Sequence, residues 1–215
     1  MELSVLDAFG DFETRGYLRN FFQEKDLKVV AGLEAAAFKD HVRDTVRYLR
    51  CLQTIRYEHV AEAHRRLFDS VYPWAGQDRS QNASEIAIVK GGDITLFARP
   101  ADVRRAAEYA LELGKDASYL REHPGEVLGY LAHSHPFLEG NGRTILTIFA
   151  ELCRRARFHI EWEAVDQTSF LDALTDELLH PASAMDKLLT PYLRAGVLSL
   201  ESAAAQLSSN FNPPQ

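Results

Sequence analysis

Residues 134–146, SHPFLEGNGRTIL, bring together side chains of the kinds that act on phosphates. Gly140 and Gly142 flank Asn141, so the main chain there can turn sharply and its N–H groups can approach an anion closely. Arg143 adds a fork of charged donors that suits phosphate oxygens. A helical stretch follows at once, and a helix N-terminus favours a bound anion. The pattern predicts a phosphate-binding loop.

An acid and a histidine precede this loop. A carboxylate at Glu139 would repel phosphate unless a divalent cation lay between them, and Mg²⁺ is the usual bridge. Glu139 could instead be a simple N-terminal acid that interacts favourably with the helix dipole. His135 can accept a proton near neutral pH, as a base acting on an incoming hydroxyl must. Together these residues predict phosphoryl or nucleotidyl transfer.

The rest of the chain, which must position these residues, is predominantly helical in pattern. Residues 144–158 are apolar on nearly every side, which predicts a central buried helix. Apolar residues alternate on either side of KGGD, which predicts a β-hairpin over about Glu85 to Phe97. We therefore expect a mostly α fold, a single helical domain with one hairpin. Apolar spacings of three and four indicate the other helices, within residues 17–53, 56–72, 101–120, 124–135, 169–179 and 184–198.

Composition and charge exclude several classes of protein. The chain has 215 residues, 46% of them hydrophobic and 26% charged, as in an ordinary globular domain. A net charge of −7 argues against a nucleic-acid partner, because such binding relies on clustered Lys and Arg. No apolar run approaches membrane-spanning length and no signal-peptide pattern opens the sequence, so we expect no membrane partner.

Cysteine usage bears on the expected compartment. Cys51 and Cys153 lie about a hundred residues apart in apolar helical segments, which is not the pattern of a disulfide framework. A reducing, cytoplasmic location is therefore expected, and a translocated effector is the alternative.

The string HPFLEGNGR, residues 135–143, resembles the signature of the Fic (Fido) family, His-x-Phe-x-Asp/Glu-Gly-Asn-Gly-Arg-x-x-Arg. The resemblance extends to YLRN near the N-terminus, to LFDSVYPWAGQDRSQN followed by a KGG hairpin and FARP, and to FHIEWEAVDQTSFLDAL after the motif helix. It covers roughly residues 15–193. We therefore expect an N-terminal segment at 1–14, a Fic-like domain at 15–193 and a C-terminal helix or tail at 194–215.

The resemblance implies an activity, protein adenylyltransfer, in which AMP passes from ATP to a hydroxyl side chain of a target protein. It implies that His135 is the general base, Glu139 the Mg²⁺ ligand and Phe137 a buried anchor of the loop. The phosphates would be held by Gly140, Asn141, Gly142 and Arg143. A flap beside the active-site loop would align the target segment by adding it as a strand, through Ile86, Ile88, Lys90, Gly91, Gly92 and Ile94.

The sequence departs from the family pattern at Leu146, where a second arginine is expected to help hold the outer phosphates of ATP. The related Doc toxins, which are kinases, also have an apolar residue there, but their loop reads Ala-Asn-Lys. Gly140 and Gly142 therefore favour nucleotidyl transfer, whereas Leu146 does not. The alternatives are a transferase with another nucleotide or a nucleotide-linked group as donor, a Doc-like kinase, and a weakly active binding module.

The family's inhibitory helix pattern, Ser/Thr-x-x-x-Glu-Gly/Asn, has no good copy near either end of the sequence. SYLREH, residues 118–123, fits it only in part. That glutamate pairs with the arginine that Leu146 replaces, so the two absences agree. We expect restraint to come from a separate small protein, such as the antitoxin of a toxin pair, or from intrinsically low activity.

Overall fold

The computed structural model describes residues 18–86, 88, 93, 95–182 and 184–210. These residues form ten α-helices, three short 3-10 helices and one two-stranded antiparallel sheet, so the mostly α fold predicted from the sequence is confirmed. The α-helices are α1 (Leu27–Arg50), α2 (Tyr57–Phe68), α3 (Arg79–Asn82), α4 (Val103–Leu113), α5 (Ala117–Glu122), α6 (Pro124–Ser134), α7 (Asn141–Arg155), α8 (Gln167–Leu179), α9 (Ala184–Leu189) and α10 (Leu200–Asn210). The 3-10 helices are Pro100–Asp102, Trp162–Ala164 and Thr190–Tyr192, and the strands are β1 (Phe158–Ile160) and β2 (Leu193–Ala195).

Several helices begin at an aspartate that caps them. The carboxylates of Asp26, Asp116 and Asp166 accept main-chain N–H groups in the first turns of α1, α5 and α8. A side-chain oxygen at this position satisfies a donor that would otherwise have no partner within the helix. The local sequence therefore fixes where these helices start.

Helix α7 lies at the centre of the fold, as its apolar sequence predicts. Ile148 and Phe149 are fully buried, and even Thr144 and Thr147 have no exposed surface. The two threonine hydroxyls donate to main-chain carbonyls one turn earlier, at Gly140 and Arg143. The helix that starts at the motif is thus held rigidly in the core, and it fixes the position of the loop in front of it.

The sheet and the last helix close the other end of the domain. Strand β1 follows α7 and pairs antiparallel with β2, with His159 opposite Arg194. Helix α10 packs on α1, and Arg43 of α1 forms an ion pair of 3.0 Å with Glu201. None of the helices in the described part of the chain combines the length and apolarity needed to cross a membrane.

The predicted hairpin falls partly on residues 87, 89–92 and 94, which lie outside the described residues. Ile86 and Ile88, at its start, are described and are not in a strand. After it, the Ala98 N–H donates to the His133 carbonyl at 2.8 Å, and the His133 ring contacts the Leu96 carbonyl at 2.9 Å. The chain that leaves the hairpin region is therefore fixed against the end of α6, beside the motif.

Candidate active site

A short loop connects α6 to α7 and carries most of the predicted site. His135 ends α6 in a left-handed conformation, with φ 36° and ψ 59°. Gly140 precedes α7 with φ 76°, which glycine adopts without strain. A non-glycine residue in this region costs about 1–3 kcal/mol and persists where its surroundings fix it. The loop therefore turns at both ends, and the strained end bears the predicted base.

The side chain of Asn141 closes the loop on itself. Its Oδ1 accepts the Phe137 N–H at 2.9 Å, and its Nδ2 donates to the Phe137 carbonyl at 2.7 Å. Both main-chain groups of Phe137 are thus satisfied by one amide. The predicted phosphate role of Asn141 therefore falls to its main chain, which lies at the N-terminus of α7, since its side chain is engaged within the loop.

Phe137 is fully buried, and its ring stacks on His64 of α2 with centroids 3.9 Å apart. The Nδ1 atom of His64 accepts the Gly76 N–H at 2.9 Å. The proton of this ring must therefore lie on Nε2, which donates to the Glu139 carbonyl at 3.0 Å. Burial lowers the pKa of His64 to about 3, so the ring is neutral. Sequence reasoning missed His64, which reads as an ordinary residue of an amphipathic helix.

The carboxylate of Glu139 faces the cleft in front of α7. Glu139 is exposed to solvent there, and its Oε1 accepts the Gly140 N–H at 3.0 Å. Partial desolvation of the carboxylate by the walls of the cleft raises the pKa of Glu139, and the negative charge of Glu34 raises it further. A nearby cation would oppose both effects. Glu139 therefore has the environment of a carboxylate that gains by binding a positive ion.

Arg143 is held by an acid from a distant part of the chain. Its Nη2 donates to Glu34 of α1 at 2.7 Å, and the Tyr72 hydroxyl donates to the same carboxylate. The guanidinium carbon lies 4.9 Å from the centre of the Phe68 ring. Its Nη1 is buried and has no hydrogen-bond partner among the described groups. A buried donor without a partner costs about 1–3 kcal/mol, which an incoming anion would relieve.

At the other end of the loop, Arg79 of α3 is fully buried against the main chain. Its Nε donates to the His135 carbonyl at 2.8 Å, and its Nη2 donates to the Ala98 carbonyl at 2.6 Å. The Phe97 ring lies against the His135 ring, with centroids 4.0 Å apart. Arg79 directly follows WAGQD, residues 74–78. Nothing in the sequence around it indicated a functional role.

His135, Glu139 and Arg143 line one open cleft of about 1030 Å³, at the upper end of the range for small-molecule sites. The motif loop, Glu34 and Arg79 form its polar side. Its apolar side is formed by α7 and α8 and includes Leu146, Phe170 and Leu174. Of the predicted flap residues, Ile86 and Ile88 also line the cleft, whereas Lys90, Gly91, Gly92 and Ile94 lie outside the described residues.

The donor set suits one mode of metal binding better than others. Within the residues that the structure describes, no group of three or more His, Cys, Asp and Glu side chains is placed to hold a metal ion. Mg²⁺ is commonly bound through one or two carboxylates together with water and substrate phosphates. The single carboxylate of Glu139 at the cleft fits that mode, whereas a site built entirely from protein ligands does not.

Comparison with known proteins agrees with the fold and the loop. Residues 54–153 match the family model described as the Fic/DOC family. This range begins before α2 and ends within α7, and it includes the entire loop. The chain is therefore similar to the Fic/DOC family over slightly less than half of its length.

Two curated relatives are similar in sequence. The protein adenylyltransferase VbhT of Bartonella schoenbuchensis is 28% identical over 74% of this chain and 35% of its own length. The probable protein adenylyltransferase y4lH of Sinorhizobium fredii is 32% identical over 55% of this chain and 62% of its own length. This chain thus spans about a third of one relative and less than two thirds of the other.

A solved structure shows the same fold. The N-terminal Fic domain of a cell filamentation protein from Bartonella quintana, crystallised with ADP bound, superposes with a TM-score of 0.70. The match covers 86% of this chain and 94% of that domain at 19% sequence identity. At this level of identity the comparison establishes the fold of the chain.

Proposed function

We propose that this chain is a protein adenylyltransferase, which transfers AMP from ATP to a Ser, Thr or Tyr hydroxyl of a target protein. The observation that carries the proposal is the shared cleft, in which His135, Glu139 and Arg143 face one space large enough for a nucleotide. The names of the two curated relatives and the ADP in the Bartonella quintana domain support it.

In this proposal His135 accepts the proton of the target hydroxyl. The oxygen then bonds to the α-phosphorus of ATP as the bond to the pyrophosphate oxygen breaks, and the target leaves with an AMP ester. A general base of this kind contributes roughly 10²- to 10⁴-fold to the rate. Most of the remaining acceleration comes from positioning and charge stabilisation, as in other transfers between phosphates.

The other loop residues hold the nucleotide. Main-chain N–H groups at the start of α7 point toward a bound anion, and the free Nη1 of Arg143 adds a charged donor. When bound through Glu139, Mg²⁺ supplies positive charge that neutralises the phosphates. Glu139 would be the protein ligand of that cation.

A different donor is the second candidate, and Leu146 favours it. Its side chain is buried on the apolar side of the cleft, where the family pattern has an arginine that holds outer phosphates.

One experiment separates these candidates. The purified chain is incubated with ATP, Mg²⁺ and a cell lysate, and the modified proteins are weighed by mass spectrometry. An added AMP supports adenylyltransfer, whereas an added phosphate supports the kinase. The same reaction with UTP, GTP and CTP tests the base of the donor.

His135→Ala is the matched control for that reaction. It should abolish the adduct and leave ATP binding, measured by calorimetry with Mg²⁺, largely intact. If the folded wild-type chain binds no nucleotide at all, the enzyme assignment is wrong and a non-catalytic binding module takes its place.

A further inference from the structure

We infer that Arg79 is a positioning residue for His135, which sets both the main-chain conformation and the ring orientation of that histidine. The guanidinium holds the His135 carbonyl, and through Ala98 it also holds the segment that places Phe97 against the imidazole. The inference rests on the proposed function in one respect, namely that His135 is the base.

The burial of Arg79 is costly, which indicates that its donors serve a purpose. The residue has no exposed surface, and burial lowers the pKa of its guanidinium. No carboxylate among the described residues lies within 4.0 Å of the guanidinium nitrogens as an ion pair. The charge of the adjacent Asp78 offsets part of this cost, but the hydrogen bonds of that carboxylate come from Tyr57 and Ser80. An apolar side chain would fill this space at lower cost if packing were all that was required.

The contacts of Arg79 fall on the strained part of the loop. Its side chain donates to the His135 carbonyl at 2.8 Å, and its main-chain N–H donates to the next carbonyl, that of Pro136, at 2.8 Å. Two consecutive carbonyls are thus fixed from one residue. This fixes the peptide that follows His135, whose left-handed conformation would otherwise relax.

The second side-chain bond of Arg79 acts on the ring. Its Nη2 holds the Ala98 carbonyl, while the Ala98 N–H is bonded to the His133 carbonyl on the other side. Both main-chain groups of Ala98, the residue after Phe97, are therefore fixed, and the centroid of the Phe97 ring lies 4.0 Å from that of the His135 ring at an angle of 34°. One guanidinium thus determines the backbone and one face of the catalytic imidazole.

The kinetic test compares Arg79→Met with Arg79→Lys. Methionine keeps the bulk and removes the donors, so kcat should fall by about 10²-fold, the order expected when a catalytic group is misplaced by about 1 Å. KM and Kd for ATP should not change, because the phosphate-binding end of the loop is intact. Lysine keeps one charged donor and should restore part of kcat.

Two further variants separate positioning from general stability. In a His135→Ala background, Arg79→Met should cause no further loss of the residual rate, because Arg79 acts through His135. Arg155 also donates to main-chain carbonyls, those of Leu49, Leu52 and Gln53, but it lies away from the loop. Arg155→Met should lower thermal stability and leave kcat unchanged. Equal kcat losses in both methionine variants would overturn the inference.

A spectroscopic measurement tests the inference without any activity. The Phe97 ring shifts the NMR signals of the His135 ring protons, which are assigned by their loss in His135→Ala. Arg79→Met should move these signals toward their positions in an unstructured peptide, and Arg155→Met should not. Unchanged His135 signals in folded Arg79→Met would refute the positioning role, even if the wild-type chain proved to transfer no AMP. If Arg79→Met does not fold, Arg79→Lys supports both measurements, with smaller changes in the same directions.

Discussion

An arginine contacts each end of the loop at residues 135–143, and the two arginines are bonded differently. Arg79 of α3 is fully buried, and Arg143 keeps a small exposed fraction. Arg79 donates to main-chain carbonyls and has no carboxylate partner among the described residues. Arg143 pairs with Glu34 and keeps one buried nitrogen without a partner. The first arrangement fixes a backbone, whereas the second leaves a charged donor available, as the proposed phosphate-binding role of Arg143 requires. The contacts at the His135 end therefore fix the conformation of the loop, whereas those at the Glu139 end leave a charged donor available.

The Glu139 end also depends on neutral, closely packed groups, which makes it the more fragile of the two. A neutral imidazole, His64, supports the Glu139 carbonyl there, and the left-handed Gly140 lies against Phe68. The His135 end depends on a guanidinium that stays charged at all working pH values. Changes in side-chain size, in side-chain charge or in pH should therefore affect the two ends of the loop to different extents.

The largest effect is expected at Gly140. A Cβ added there would come within 2.6 Å of the Phe68 ring, at a φ of 76° that alanine adopts only with strain. Gly140→Ala should therefore lower the free energy of unfolding by about 3 kcal/mol, as measured by urea denaturation.

Gly142→Ala provides the matched control for Gly140→Ala. A Cβ at Gly142 meets nothing within 4 Å, and the residue lies in the first turn of α7. Its stability should stay the same or rise by about 0.5–1 kcal/mol. Equal losses in the two variants would show that the packing of Phe68 does not limit this end of the loop.

Acid should weaken the Glu139 end through His64. The pKa of this ring is about 3 when folded and 6.5 in its ordinary state, so the unfolded chain binds the proton more readily. The contribution of the neutral ring is complete above about pH 6.5 and is lost as the pH falls toward about 3. Between about pH 7 and pH 5 it should account for about 2 kcal/mol of lost stability.

The measurement for His64 is the free energy of unfolding at these two pH values, in the wild type and in His64→Gln. Glutamine offers a donor and an acceptor but does not titrate, so the variant should lose about 2 kcal/mol less than the wild type over the same interval. If both chains lose the same amount, the ring is not held neutral by its surroundings.

A smaller effect is expected from Glu34→Gln, which should lower stability but strengthen ATP binding. Tyr72 and Arg143 donate to different oxygens of Glu34, and the amide keeps only one accepting oxygen. The variant therefore loses one of these bonds and no longer balances the guanidinium charge, so stability should fall by about 1–2 kcal/mol. Arg143 should then bind phosphate more readily, and the Kd for ATP should fall. Calorimetry and thermal unfolding measure the two quantities.

The control for Glu34→Gln is Glu201→Gln. Glu201 is an exposed acid of α10 that pairs with Arg43 of α1, the helix that also carries Glu34. The control variant should leave ATP affinity unchanged, because surface pairs contribute little and this one lies away from the cleft. Weaker ATP binding in Glu34→Gln would mean that Glu34 orients Arg143 for the nucleotide and does not compete with it.

The smallest effect is expected at Phe97, on the His135 end. Phe97→Leu keeps an apolar group beside the imidazole but removes the ring contact, which is worth about 0.5–1.5 kcal/mol. We expect kcat to fall by up to about tenfold with KM for ATP unchanged. A change in KM alone would assign Phe97 to nucleotide binding and would weaken the distinction between the two ends.

The motif residues could be predicted because they lie together in the sequence. The spacing from His135 to Arg143 is local, and each residue type there has a chemistry of its own. The helices could also be predicted from their periodicity, whereas the three-residue strands β1 and β2 carry no comparable signal.

The residues that hold the motif in place could not be predicted in this way. Glu34, His64 and Arg79 lie on three other helices, and only the packing of those helices brings them to the loop. Buried polar residues of this kind have no fixed spacing from their partners. A sequence pattern therefore indicates candidate reacting groups more readily than the groups that position them.

The pair formed by Glu34 and Arg143 joins residues 109 positions apart, and this has a consequence for how the site assembles. Contacts between such distant residues form late in folding, because a long chain segment must be closed first. A fragment limited to residues 54–153 would contain the whole motif but lack the acid that holds Arg143. The segment that forms the complete candidate site is thus longer than the segment that matches the family model, and it includes α1.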